Sequence, residues 1–138
     1  MTVARTSSRV GMLMTSDPIT IEPDATAVEA EDLLKRYRVS GLPVVERGRL
    51  VGVISQTDLV VARSSEMIAV HWDRMRVRHL MSSPAVTVHA GATVAGAARQ
   101  LLLHHIHRLV VIDDDGHPIG VVTPLDLLRT FVEEDEPT

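Results

Sequence analysis

The sequence predicts an α/β (α+β) protein made of two pseudo-symmetric β-α-β-β-α repeats packed through their sheets. The first observation behind this is an internal match. A shift of 67 residues lays "RVGMLMTS" (Arg9 to Ser16) over "RVRHLMSS" (Arg76 to Ser83), Thr20 over Thr87, Leu34 over Leu101 and Leu42 over Leu109. One residue is then gained in a turn, and at a shift of 68 Gly48 meets Gly116, Gly52 meets Gly120 and Asp58 meets Asp126. A register held over about fifty residues with one single-residue gap marks a duplication. The second observation is a pair of apolar runs joined by a turn in each copy. The third is an apolar stripe at helical spacing before each pair.

Each copy opens on a short strand, Ile19 to Glu22 and Val86 to His89. A helix follows. Asp24 or Thr26 can start the first, and Ala30, Leu33, Leu34 and Tyr37 fall at the i, i+3, i+4, i+7 spacing of a core-facing surface. Val94, Ala98, Leu101 and Leu102 form the comparable stripe in the second copy. The runs "LPVV-ERGR-LVGVI" and "LVVI-DDDGHP-IGVV" read as β-hairpins, the second with an Asp-Gly turn signal. A last helix closes each copy. The expected boundaries are 10–64 for the first repeat, 65–76 for a linker helix and 77–132 for the second, with flexible termini at 1–9 and 133–138. Neither copy alone buries much apolar surface; two together can.

Composition narrows the function. Apolar residues make up 45% and charged residues 23% of the 138, the balance of an ordinary globular chain. Aromatics contribute only 2%, so Val, Leu, Ile and Ala must build the core. The absence of cysteine removes disulfides and thiolate metal sites and suits a reducing, cytoplasmic setting. No apolar run reaches the roughly 18 residues of a membrane span, and "MTVARTSSRV" lacks the apolar stretch of a signal peptide. The net charge of −4 is matched by the four acids of the tail, Glu133 to Glu136, so the rest is formally neutral, unlike a general nucleic-acid binder.

The phrases "GVISQTDLV" (Gly52 to Val60) and "GVVTPLDLL" (Gly120 to Leu128) carry the chemistry. Each places a hydroxyl residue at a helix start and an acid three positions later, as a capping box does, with Pro124 at the favoured first helical position. The same geometry can serve a ligand. A helix N-terminus can hold a phosphate, the hydroxyl can add a donor, and the carboxylate can accept hydrogen bonds from sugar hydroxyls.

The order Leu-Met-Thr/Ser at the entry, "VSGLPVV" (Val39 to Val45), then Gly-apolar-apolar-Ser/Thr-x-x-Asp resembles the CBS domain, named after cystathionine β-synthase. Two copies resemble a CBS pair, or Bateman module, over Val10 to Val132. The resemblance implies the β-α-β-β-α fold and a regulatory role: binding adenosine-containing ligands in clefts between the repeats and signalling to an effector protein. AMP, ADP or ATP are the expected ligands, with S-adenosylmethionine or NAD as further members of the class. Carried over by position, one site uses Ser55 and Asp58 with Ser40, Gly41, Leu42 and Pro43. The other uses Thr123 and Asp126 with His107, Arg108, Leu109 and Val110. Thr20-Ile21 and Thr87-Val88 would offer main-chain groups to the base. Val110 stands where the family commonly has the proline found here at Pro43, and His107-Arg108 replace Ser40-Gly41, so the second cleft is expected to favour more phosphate.

Other readings are weaker. His104, His105 and His107 have no spacing suited to a shared metal ion, so no metal site is expected. Lys35, Arg36, Arg38, Arg47 and Arg49 read as a solvated face, with a nucleic-acid surface as the rival; stacking aromatics are nearly absent. None of the motifs Gly-x-Ser-x-Gly, His-Glu-x-x-His, Gly-Lys-Ser/Thr or Gly-x-Gly-x-x-Gly occurs, and the chain reads as a non-enzyme without cofactor. A third reading is a ligand-free interaction module, in which both aspartates only cap helices. Between the repeats, Ile68, Trp72, Met75 and His79 fall at helical spacing and suggest a homodimer interface.

Overall fold

A computed structural model describes residues 8–135. Its backbone divides into two units: Ile19–Ala85, and the residues up to Pro18 joined with those from Val86 onward.

In the first unit, Thr26 starts helix α1 (Ala27–Tyr37) by accepting a hydrogen bond from the Glu29 N–H at 3.1 Å. Arg38, in the left-handed region at φ 53°, ends it. Strands β2 (Gly41–Glu46) and β3 (Arg49–Ser55) form an antiparallel hairpin. Its two-residue turn needs positive φ at both positions, and Arg47 (53°) and Gly48 (80°) supply it. Helices α2 (Gln56–Arg63), α3 (Glu66–Ala69) and α4 (Val77–Leu80) follow, with a 3-10 turn at Trp72–Arg74. Leu34, Leu42, Val44, Ile54, Leu59, Trp72 and Val77 form the core.

The second unit repeats the plan. A 3-10 turn at Val10–Met12 and strand β1 (Thr15–Ser16) precede the first unit in the chain. Strand β4 (Thr87–His89), helix α5 (Val94–His104), strands β5 (Leu109–Ile112) and β6 (Pro118–Val122) and helix α6 (Pro124–Asp135) follow it. The sheet order is β1-β6-β5-β4, with β4 and β5 parallel and the other neighbours antiparallel. Val10, Val94, Leu101, Leu109, Val111, Val122 and Leu127 fill its core.

The sheets show an exchange that the duplication alone does not reveal. β1 lies at the start of the first repeat yet pairs with β6 of the second, Thr15 opposite Val121. Its counterpart Ser82 lies at the start of the second repeat yet bridges Val53 of the first, with N–H to carbonyl distances of 2.9 and 3.0 Å. Each Leu-Met-Thr/Ser segment therefore closes the sheet of the other copy. This explains the leading glycine of the repeated phrase. A Cβ at Gly52 would stand 2.7 Å from the Ser82 carbonyl oxygen and 2.9 Å from the Met81 sulfur, and one at Gly120 would collide with Met14. Gly52→Ala is expected to lower stability by about 1–3 kcal/mol, the cost of overpacking against backbone. Urea denaturation measures it, and an unchanged midpoint would show that the edge can yield.

Several expectations change. Thr26 rather than Asp24 is the N-cap. The strand expected over Ile19 to Glu22 reduces to one parallel bridge, Ile21 to Val44. Tyr37 and Leu102 turn outward, 47% and 76% exposed; Ala27 and Ala97 take inward positions beside Ala30 and Leu101. The segment expected as one linker helix breaks after α3, because His71 leaves helical geometry and lets Trp72 swing into the core of its own unit. Trp72 is 7% exposed and Met75 packs against the same cluster, so the stripe proposed as a dimer interface is internal cover instead. Residues 1–7 of the terminus expected to be flexible lie outside the described residues, but Arg9 bridges Thr93. At the other end α6 continues to Asp135, and 136–138 lie outside the described residues. No described helix is long and apolar enough to cross a membrane.

Candidate functional site

The hairpin geometry gathers the sequence-derived candidates at one end of each sheet. In the first unit Gly41 stands opposite Ser55, the last residue of β3. The Gln56 N–H donates to the Ser40 carbonyl at 2.9 Å, and the Ile21 N–H to the Pro43 carbonyl at 3.1 Å. Thr20-Ile21, Ser40 to Pro43 and Ser55 to Asp58 thus share one sheet end. In the second unit Thr87 pairs with Val110, Val88 with Val111 and Leu109 with Val122, which brings Thr87-Val88, His107 to Val110 and Thr123 to Asp126 together in the same way.

Burial sorts these residues by what they can offer. Ile21, Leu42, Pro43, Val88, Leu109 and Val110 are buried, so their side chains support the site from behind. The N–H and carbonyl of Ile21 already serve the sheet, the latter accepting from Val45 at 2.8 Å. Thr20, Ser40 and His107 are exposed, while Gly41, Thr87 and Arg108 are half-buried.

The two Ser/Thr-x-x-Asp phrases are capping boxes, but unequal ones. Ser55 Oγ accepts from the Asp58 N–H at 3.1 Å, and Asp58 Oδ2 accepts from the Ser55 N–H at 2.9 Å. Asp58 is half-buried, and among the described residues its second oxygen, Oδ1, meets the Ser82 hydroxyl at 3.4 Å. Asp126 is 5% exposed. Its Oδ2 accepts from both the N–H (2.8 Å) and the hydroxyl (3.0 Å) of Thr123, and Oδ1 lies 3.5 Å from the Arg129 guanidinium. One carboxylate oxygen thus faces outward more freely in the first unit than in the second.

A groove of about 570 Å³ adjoins Thr20 and Ile21 and is lined by Glu22, Asp24, Glu29 and Arg47. Asp24 is already held by the Arg78 guanidinium at 2.6 Å, which leaves Glu22 and Glu29 beside Arg47, a set that suits hydroxyl or amino groups better than phosphate. It reaches neither Ser55 nor Asp58, and sequence reasoning missed it because its residues come from three separate segments. In the second hairpin, Asp113, Asp115 and His117 are the metal-capable group found among the described residues. Asp113 Oδ1 is already engaged by the N–H groups of Asp115 and His117, both at 2.9 Å. Those bonds, foremost the one from His117, hold the Asp113 carboxyl below its ordinary pKa. The cluster is the internal bonding of a turn.

The model of the CBS domain matches the chain twice, over residues 10–65 and 77–133, and the chain belongs to that family as a tandem CBS pair. It is 30% identical over 119 residues to the inosine-5'-monophosphate dehydrogenase of Bifidobacterium longum, covering 85% of this chain and 21% of that one. It is 32% identical over 124 residues to protein MK0525 of Methanopyrus kandleri, covering 89% and 62%. The chain therefore spans about a fifth of the dehydrogenase, within the CBS part. Among solved structures it resembles CBSX2 in complex with AMP (TM-score 0.81, 30% identity, 93% of this chain and 98% of that one). It also resembles the CBS domain pair of protein MJ0100 in complex with 5'-methylthioadenosine and S-adenosyl-L-methionine (TM-score 0.80, 25% identity, 93% and 98%).

Proposed function

We propose that this chain is a regulatory module that binds an adenosine-containing ligand at the sheet ends and signals to a partner protein, without catalysing a reaction. The observation that carries this reading is the Ser55-Asp58 box. It offers a half-buried carboxylate whose Oδ1, held by the Ser82 hydroxyl at 3.4 Å, can also accept from ribose hydroxyls, next to a helix N-terminus suited to phosphate. The structural relatives support the ligand class, since one is a complex with AMP and another with S-adenosyl-L-methionine. A regulator must also bind its ligand with different affinity in two states.

Calorimetry with AMP, ATP and S-adenosylmethionine tests the reading. Asp58→Ala is expected to weaken binding by about 1.5–3 kcal/mol, the worth of hydrogen bonds to a charged group. If Asp58→Ala, Asp126→Ala and the double variant all bind like the parent chain, the ribose role is wrong.

A further inference from the structure

We infer that Ser82 is a specificity residue of the first site: with Asp58 it reads both hydroxyls of a vicinal diol, so that a ribose is preferred over either deoxyribose. The inference rests on the proposed function, in which Asp58 faces the sugar.

Ser82 comes 24 residues after Asp58, and the edge of the first sheet brings the two together. Its N–H donates to the Val53 carbonyl at 2.9 Å, and its carbonyl accepts from the Val53 N–H at 3.0 Å. Val53 stands two residues before Ser55, the cap of α2. Both main-chain groups of Ser82 are thus tied to β3, and a held backbone presents the side chain. Ser82 is exposed, and its hydroxyl donates to Asp58 Oδ1 at 3.4 Å.

A serine hydroxyl has one hydrogen and two lone pairs. With the hydrogen committed to Oδ1, Ser82 Oγ offers acceptor capacity alone. Asp58 Oδ2 already accepts from the Ser55 N–H at 2.9 Å, so a second sugar hydroxyl needs an acceptor outside the capping box. Oδ1 and Ser82 Oγ form a pair of acceptors 3.4 Å apart. Neighbouring hydroxyls on a sugar ring lie roughly a hydrogen-bond length from each other and can donate one to each.

The second unit is arranged differently. Arg129 stands where the first unit has Val61, and its guanidinium lies 3.5 Å from Asp126 Oδ1. The pairing position of Ser82 is held there by Thr15, opposite Val121, so the edge accepts either hydroxyl residue.

The test is calorimetry of the full chain with AMP, 2'-deoxy-AMP and 3'-deoxy-AMP, read at the site that Asp58→Ala weakens. The parent chain is expected to prefer AMP over both analogues. Ser82→Ala keeps the main-chain bonds to Val53 and is expected to weaken AMP about fivefold, the worth of one neutral hydrogen bond. It should leave one of the two deoxy analogues unchanged, erasing the preference for AMP over that analogue while the other preference survives. Ser82→Thr restores the hydroxyl and should restore the discrimination. A parent chain that binds none of the three overturns the proposed function and this inference with it. Binding that needs Asp58 but shows the same two preferences before and after Ser82→Ala overturns the role of Ser82 alone. So does a parent chain that binds all three alike, or a loss that Ser82→Thr fails to reverse.

Discussion

Trp72→Ala is expected to destabilise the chain by about 3–5 kcal/mol, the range for removing a buried aromatic from a core. Trp72 is the chain's one tryptophan, packed with Leu34, Leu59 and Val77. Its loss also leaves Glu31 with Arg63 alone, a pair whose guanidinium is 55% exposed and therefore adds little by itself. Trp72→Phe keeps most of the packing and gives up the hydrogen bond, so a loss of about 1–2 kcal/mol is expected. Glu31→Gln retains a carbonyl acceptor for the indole and should cost less again. Urea denaturation followed by circular dichroism measures all three, since the variants at position 72 remove the fluorophore. Near-parental stability of Trp72→Ala would show that the inter-repeat segment covers the core only loosely.

Much of this architecture was legible in the sequence because the chain states it twice. Thr26 and Thr93 fall one duplication step apart, and each caps the first helix of its copy. The hairpins, the capping boxes and the strand-end clustering of the site follow from local chemistry repeated in register. What local patterning could not show was the exchange of the Leu-Met-Thr/Ser segments. A two-residue strand has no periodicity of its own, and its partner lies about a hundred residues away in one copy. Trp72 misled for a related reason: spacing of three and four residues describes a helix face equally well when the chain leaves helical geometry at His71. Leu102 belongs to the same stripe as Leu101 by spacing, yet only the fold decides which one looks inward. The difference between the two aspartates was also hidden, since identical phrases give no sign of unequal burial.

That difference separates stability from binding. Asp126→Ala is expected to cost about 2–3 kcal/mol of stability, because it strips both the N–H and the hydroxyl of Thr123 of their acceptor at a site that is 5% exposed. Asp126→Asn keeps one oxygen to accept from the Thr123 N–H, and roughly half the loss is expected. Asp58→Ala, at a half-buried carboxylate, should cost about 1 kcal/mol, the ordinary worth of a cap. For ligand binding the order is expected to reverse. Asp58 presents an oxygen whose contact among the described residues is the Ser82 hydroxyl at 3.4 Å, whereas both oxygens of Asp126 face protein groups. Paired measurements of urea midpoint and nucleotide affinity on the three variants check both halves. Equal stability losses at the two positions would mean that burial does not distinguish the boxes, and a larger affinity loss at Asp126 would move the ligand-facing carboxylate to the second unit.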